Sequence, residues 1–476
     1  MTANNVLPHL SLLNTEQKEQ VHRYALKILA ETGVRIDSDR VQKLLERKLG
    51  PGWVDSARVR FPAEVVEWAL KSAPANLQIF DRTGNQAFQL ADSRTHFGVG
   101  VTALYYQDPR SDQLTPFSRA NMRDMVRLGS ALPHYEVIST VGVLQDVPAR
   151  LSDLYGSLEM IANTTRPLVL LASDEANFPP ILEMFEHLVG DLGEKPFILP
   201  YFNPVSPLVL NTGTLEKMQA AIQRGLPVIF SNYSMAGAST PITPAGTLAL
   251  LLAELLAGLI VSQFLREGAP ILLGMLPVYF DMKTMVNFYD PQSLLINLAC
   301  AEMLAYYNLP HCGTSGSGTG WGADLIAADT YWMNTLTYSL TRGGLAPFVG
   351  DTLTSKAISP LTLVYVHEII EQTRRFVAGF QLDDQMAVLS EIEKVGPGGS
   401  FLSAPSTRQR FKNGYYASPV FPHYSMEKWQ AVGQPSAGQV LRDNTLRLLE
   451  TAPIPADHDD LLARGEAFID RHAARP

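Results

Sequence analysis

The segment Pro227–Gly274, PVIFSNYSMAGASTPITPAGTLALLLAELLAGLIVSQFLREGAPILLG, reads as strand, helix, strand. Pro227 to Ser231 is a short apolar run, and Pro270 to Gly274 repeats it after a Gly-Ala stop; the spacing between them predicts a helix over Pro244 to Arg266. Proline opens both strands because it cannot continue the preceding helix and is tolerated at a strand's first residue. The helix is apolar almost all round. Thr247–Leu265 approaches the length that crosses a bilayer core of about 30 Å. Glu254 and Gln263 interrupt it and strand-like runs flank it closely, so it reads as a helix buried inside a globular domain.

The same unit recurs outward in both directions. Further runs lie at His96 to Val101, Val137 to Val143, Pro167 to Ala172, Pro196 to Tyr201, Pro310 to Thr314 and Pro347 to Gly350. Helical patterns fill the gaps, near 119–131, 149–163, 178–190, 214–224, 291–308 and 323–342, and one more at 359–378 follows the last run. Eight βα units over roughly 255 residues predict an α/β protein with a (β/α)8 TIM barrel, for which about 250 residues is typical. A doubly wound open sheet is the rival arrangement. Both place ligands at the carboxyl ends of the strands. We expect a mainly helical N-terminal extension over residues 1–95, the barrel over 96–380, and a C-terminal helical wrap over 381–476 that closes with an amphipathic helix near Ser436 to Leu449.

Charge and cysteine content exclude several functions. A formal charge of -9 over 476 residues lacks the basic footprint that nucleic acid or anionic lipid demands. Two cysteines, Cys300 and Cys312, can build neither a disulfide framework nor a cysteine-rich metal site. The first residues carry no basic region followed by an apolar core, so a cytoplasmic protein is expected.

Several stretches together resemble a known family. They include ILAETGVRIDSD (28–39), RFPAEVVEWALKSAP (60–74), HFGVGVTALYYQD (96–108), LQDVPARLSDLY (144–155), NPVSPL (203–208), GLPVIFSNYSMAGASTPITPAGTLAL (225–250) and VGPGGSFL (395–402). In order and almost end to end, the chain resembles the trimethylamine methyltransferase family of corrinoid-dependent enzymes, in the branch that lacks pyrrolysine. The resemblance implies a TIM barrel and transfer of a methyl group from a quaternary or related methylated amine, glycine betaine-like, to the Co(I) of a separate corrinoid protein. The cofactor would then be a cobalamin-type corrinoid carried by that partner. A homo-oligomer is expected. Leu353-Thr354-Ser355-Lys356 stands where the family commonly carries Leu-Glu-Ser-Gly, so its glutamate is absent here.

The chemistry supports such a branch independently. Expelling dimethylamide from a tertiary amine is prohibitive, whereas a quaternary nitrogen leaves as a neutral amine; the protein then needs to position and desolvate more than to donate protons. The chain has no Gly-x-Ser-x-Gly elbow, no His-Glu-x-x-His and no Cys-x-x-Cys. A quaternary ammonium has no N–H and is held by ring faces, each contributing about 0.5 to 2 kcal/mol. Tyr201, Tyr233, Trp321 and Phe348 fall at or just beyond strand ends and are candidate cage members, although aromatic residues there also serve as ordinary core. Gln145 and Asn203 are candidate substrate-orienting groups. Asp351 and His311 are candidate catalytic residues; Asp351 equally suits a helix cap, and His311 a satisfied structural group. Lys356 is either a solvated loop lysine or a partner for a substrate carboxylate.

The segment HCGTSGSGTGWGAD, His311 to Asp324, lacks the Gly-Lys-Ser/Thr ending of a phosphate loop. Its glycines Gly316, Gly318 and Gly320 are read instead as a loop at the mouth that lets a bulky macrocycle approach. Two other functions compete: a Schiff-base lyase or aldolase using Lys356 or Lys283, and a quaternary-amine-binding protein without turnover.

Overall fold

Eight parallel strands close on themselves. In the computed structural model, which describes residues 5–50, 52–92, 94–314, 318, 320–341 and 343–474, they are β1 (His96–Val99), β2 (Tyr135–Ser139), β3 (Leu168–Leu170), β4 (Ile198–Phe202), β5 (Val228–Ala236), β6 (Ile271–Asp281), β7 (His311–Cys312) and β8 (Leu345–Val349). Each pairs in parallel with its sequence neighbour, and β8 pairs with β1. That last pairing removes both sheet edges and with them the open-sheet alternative.

The helices follow one per strand: α1 (Arg119–Ala131), α2 (Ser152–Asn163), α3 (Phe178–Val189), α4 (Thr212–Gln223), α5 (Pro244–Leu265), α6 (Pro291–Tyr306), α7 (Leu325–Leu340) and α8 (Pro360–Ala378). Their starts follow local chemistry. Asp290 accepts the N–H groups of Gln292 and Ser293 to cap α6, and Ser359 caps α8 ahead of Pro360. Helix α5 is apolar on all sides because it is covered on all sides. The barrel strands β5 and β6 lie on one face and the N-terminal helices Thr15–Lys27 and Ala63–Ser72 on another, leaving 83% of its most apolar window buried.

Two strands exceed their expected length. β5 and β6 continue past the barrel as a nine-pair ladder, from Val228↔Ile271 to Ala236↔Tyr279. β6 then folds back through Asp281–Met285 onto Val286–Phe288, making an arm that projects beside the barrel opening. A second addition at this end is a small rim sheet joining Tyr105–Gln107, Leu114–Pro116, Asp351–Thr352 and Ala357–Ile358.

The N-terminal extension is less helical than expected. Helices Thr15–Lys27, Asp39–Leu49 and Ala63–Ser72 are joined by short strands at Val34–Ile36, Val54–Asp55 and Arg58–Val59, and a hairpin pairs Gln78–Phe80 with Gln86–Gln89. Ile79 and Phe88 of that hairpin pack with Val137, Val169, Leu199 and Leu345. They close the amino-terminal end of the barrel, so its cavity opens at the other. At the C-terminus Ala437–Thr451 packs on α8 and α1, and a further helix, His458–Ala473, packs on α2 and α3.

Candidate active site at the barrel mouth

The carboxyl ends of the strands deliver side chains into one cavity of about 430 Å³. Tyr201 and Asn203 come from the end of β4, Tyr233 from the extended β5, and Phe348 from β8. Leu276 of β6 and Tyr289, from the base of the projecting arm, complete one wall. Val101, Thr102 and Leu104 follow β1, and Ser355 and Lys356 belong to the loop after β8. Tyr201 and Phe348 are buried and meet edge to face at the floor, while Tyr233 is 41% exposed nearer the opening.

Hydrogen bonds hold these groups in place. Asn203 Nδ2 donates to the Ser231 carbonyl at 2.8 Å, and the Asn203 carbonyl accepts from Thr214 Oγ1 at 2.8 Å, tying β4 to β5 and α4. The Tyr201 hydroxyl lies beside Ser231 and Asn203 without closing a well-formed bond to either, and burial pushes its pKa up. Tyr233 is pushed up to about 12 by burial, helped by the charge of Asp351 and opposed by a hydrogen bond from the Asn287 amide. Both phenols are therefore neutral rings at physiological pH.

Asp351 is fully buried one layer behind the lining. Its carboxylate accepts Tyr331 Oη at 2.9 Å on one oxygen and Ser355 Oγ at 2.6 Å on the other. Ser355 in turn lines the cavity, so the carboxylate stands behind it and does not itself reach the lining.

A buried acid also anchors the far wall. Glu254 of α5 accepts Leu208 N–H at 2.7 Å, Ser206 Oγ at 2.8 Å and Asn232 Nδ2 at 3.0 Å, linking the loop after β4 to β5. Burial raises its pKa against those three donors. The residue was legible only as an interruption in an apolar run.

The other candidates lie elsewhere. Trp321 is 70% exposed on the rim, where it shares a neighbouring depression with Tyr105, Leu114 and Lys356. Gln145 is exposed and donates to the Leu104 carbonyl, one step removed from the lining. His311 is not brought to the mouth. It is the first residue of β7, level with Gly344 at the closed end, and its Nε2 accepts the Gly344 N–H at 3.4 Å. Burial holds its pKa down to about 4, so the ring is neutral.

The glycine loop packs against the rim. An added Cβ at Gly318, where φ is +48°, would sit 2.7 Å from Asp351 Oδ2, and one at Gly320 would sit 2.6 Å from Ala327 Cβ. The carbonyl of Gly320 accepts Thr352 Oγ1 at 2.6 Å and Leu353 N–H at 2.8 Å. These glycines let the loop lie directly on the strand that carries Asp351. Gly316 lies outside the described residues.

Sequence reasoning missed Tyr289, Ser355 and the apolar wall of Leu104, Leu171 and Leu276. Only Tyr289 carried a usable signal, since it immediately precedes the Asp290-Pro291 start of α6. Among the described residues, no three His, Cys, Asp or Glu side chains converge as metal ligands would. The lining consists of ring faces, an aliphatic wall, a few hydroxyl groups, one side-chain amide and one ammonium. Ring faces of this kind are the groups that suit a quaternary ammonium, which has no N–H to donate.

The fold and its mouth define a (β/α)8-barrel protein with an aromatic-lined cavity at the carboxyl ends of its strands. The chain belongs to the trimethylamine methyltransferase (MTTB) family, whose model matches residues 1–475, and is a methyltransferase. Among its relatives is the glycine betaine methyltransferase of Desulfitobacterium hafniense (strain Y51), 25% identical over 98% of this chain and 97% of the relative. The trimethylamine methyltransferase MttB of D. hafniense (strain DSM 10664 / DCB-2) is 24% identical over 94% of this chain and 91% of its own. The crystal structure of the Methanosarcina barkeri monomethylamine methyltransferase (MtmB) superposes with a TM-score of 0.52 over 94% of this chain and 89% of that one, at 10% identity, and shares the fold. Family membership favours methyl transfer over the aldolase and binding-protein readings. Lys283, one of the two lysines proposed for Schiff-base chemistry, is exposed in the turn at the tip of the arm.

Proposed function

We propose that this chain takes a methyl group from a quaternary or related methylated amine, glycine betaine-like, held in the mouth cavity, and delivers it to the Co(I) of a corrinoid on a separate protein. The observation that carries this reading is the cavity lining: Tyr201, Tyr233, Tyr289 and Phe348 supply ring faces, and the Asp351 carboxylate stands behind Ser355. Ring faces and a remote negative field suit a cation that has no N–H to give.

The reduced corrinoid, when docked, supplies the strong nucleophile. This chain supplies the rest. The rings exclude water and confine the ammonium, which converts a bimolecular encounter into a positioned one. Asp351, held by two donated hydroxyls, stands behind the lining, where its field favours a cation. Asn203, tied to the Ser231 carbonyl and to Thr214, braces the β4 wall of the cavity. His311 supports the closed end of the barrel and does not touch substrate. Residues at the opening fit a large flat ligand and its carrier: Leu104, Tyr105, Tyr233 and Trp321 are all exposed there, and such an apolar rim marks an interaction site.

The test is incubation of the chain with a reduced corrinoid protein and a panel of methylated amines while the cobalt spectrum is followed. Quaternary amines should change the spectrum and trimethylamine should not. A spectrum that stays constant with every amine would overturn the reading.

A further inference from the structure

The cavity that suits a cation also carries one. Among the described lining residues Lys356 is the only charged side chain, and it borders the adjoining depression with Trp321 as well. Its ammonium makes no ion pair among the described residues, whereas Asp351, five residues earlier as the chain turns, is occupied by Tyr331 and Ser355. A substrate that brought only positive charge would meet a like charge at the entrance, an arrangement that disfavours binding.

The root of this lysine is held firmly. Its carbonyl accepts the N–H groups of Leu104 and Tyr105, each at 3.0 Å, and the next two residues pair with Tyr105 and Tyr106 in the rim sheet. Before it, Leu353, Thr354 and Ser355 all adopt the left-handed region, with φ of +54°, +56° and +64°. Three consecutive non-glycine residues in that region persist only where surrounding contacts impose them. Here the imposing contacts are Leu353 N–H to the Gly320 carbonyl at 2.8 Å, Thr354 N–H to the Gly318 carbonyl at 2.5 Å, and the Ser355–Asp351 bond. The turn sets the base of Lys356 on the β8/β1 side of the mouth, beside Leu104 and Tyr105.

We infer that Lys356 is the specificity-determining residue of this site: it binds the carboxylate of a zwitterionic substrate at the β8/β1 rim, with the ammonium among the rings, and discriminates against substrates that lack the anion. This rests on the quaternary-amine reading above and narrows it. Placing the carboxylate at the side of the opening leaves the ammonium's remaining methyl groups free to face outward. It also resolves the charge conflict, because Lys356 then rewards the same molecule that the rings select and rejects choline-like cations.

Calorimetric titration of the full chain tests this with matched pairs: glycine betaine, 3-(trimethylammonio)propanoate and 4-(trimethylammonio)butanoate, each against its methyl ester, which keeps the ammonium and loses the anion. At least one acid should bind about tenfold or more tightly than its ester, as expected for a charge-assisted contact. Lys356→Met should erase most of that ratio, and Lys356→Glu should invert it. Lys356 is exposed, so both variants should melt like the parent. Acids and esters that bind equally, or a ratio unmoved by Lys356→Met, would overturn the inference and leave the quaternary-amine reading standing. Failure of every acid and every ester to bind would overturn both.

Discussion

The rings of Tyr201 and Phe348 meet edge to face, 5.1 Å between centroids and 76° between planes, although their strands stand on opposite sides of the barrel. The pair spans the interior and makes the floor on which a ligand would rest. One ring face contributes about 0.5 to 2 kcal/mol to holding a cation. Phe348→Leu should therefore weaken binding of a quaternary ammonium by about 2- to 30-fold, measured by calorimetry, at a stability cost of about 1 kcal/mol. Unchanged affinity would remove Phe348 from the cage.

Trp321 should behave differently because it stands on the rim and not in the cavity lining. Trp321→Ala should leave melting temperature and amine affinity unaltered while raising the KM for the corrinoid protein by about tenfold, as truncation of an interface anchor does. Steady-state kinetics against corrinoid-protein concentration separates the two effects.

His311 makes an acid-sensitive contribution to stability. Its folded pKa of about 4 lies below the ordinary 6.5, so the fold binds the neutral ring. Stability from this group is fully present above pH 6.5 and is lost as pH falls toward 4. The full loss is on the order of 3 kcal/mol. His367, held down to about 3 chiefly by burial, adds to the same slope. Urea midpoints measured from pH 7 to 4 should fall in the wild type and fall less steeply in His311→Asn. Turnover at pH 7 should survive that substitution.

Gly258 lets α5 lie close on β5. A Cβ there would come within 2.2 Å of the Phe230 ring, deep in the core. Gly258→Ala should cost about 2 to 3 kcal/mol through overpacking, and Phe230→Leu in the same background should recover part of it. Denaturant unfolding of the two single variants and the double variant gives the coupling directly.

Much of the barrel was legible in the residues, and some of its surroundings were not. α5 was expected over Pro244 to Arg266 and runs from Pro244 to Leu265, because a long apolar run between proline and glycine stops leaves little freedom. The hairpin at Gln78–Gln89 was missed. Its strands are three and four residues long, too short for a periodic signal, and only its Asp81 turn, which accepts the Thr83 and Asn85 N–H groups, marks it. The extension of β5 and β6 was equally hidden, since the two lengthen each other through mutual pairing.

Alternation of strand and helix is a property of neighbours in the chain. Period, proline stops and helix caps act over a few residues, so the sequence by itself determined eight units and the end of the barrel at which to seek chemistry. Which side chains share that end was decided by closure. Cys312 pairs with Leu345, so His311 falls level with Gly344 at the closed end, while Phe348, three residues farther along β8, reaches the mouth. Strand register and the curl of the rim loops depend on contacts between residues tens to hundreds of positions apart. No local pattern encodes them, and they set Tyr201 against Phe348 and Lys356 beside the opening.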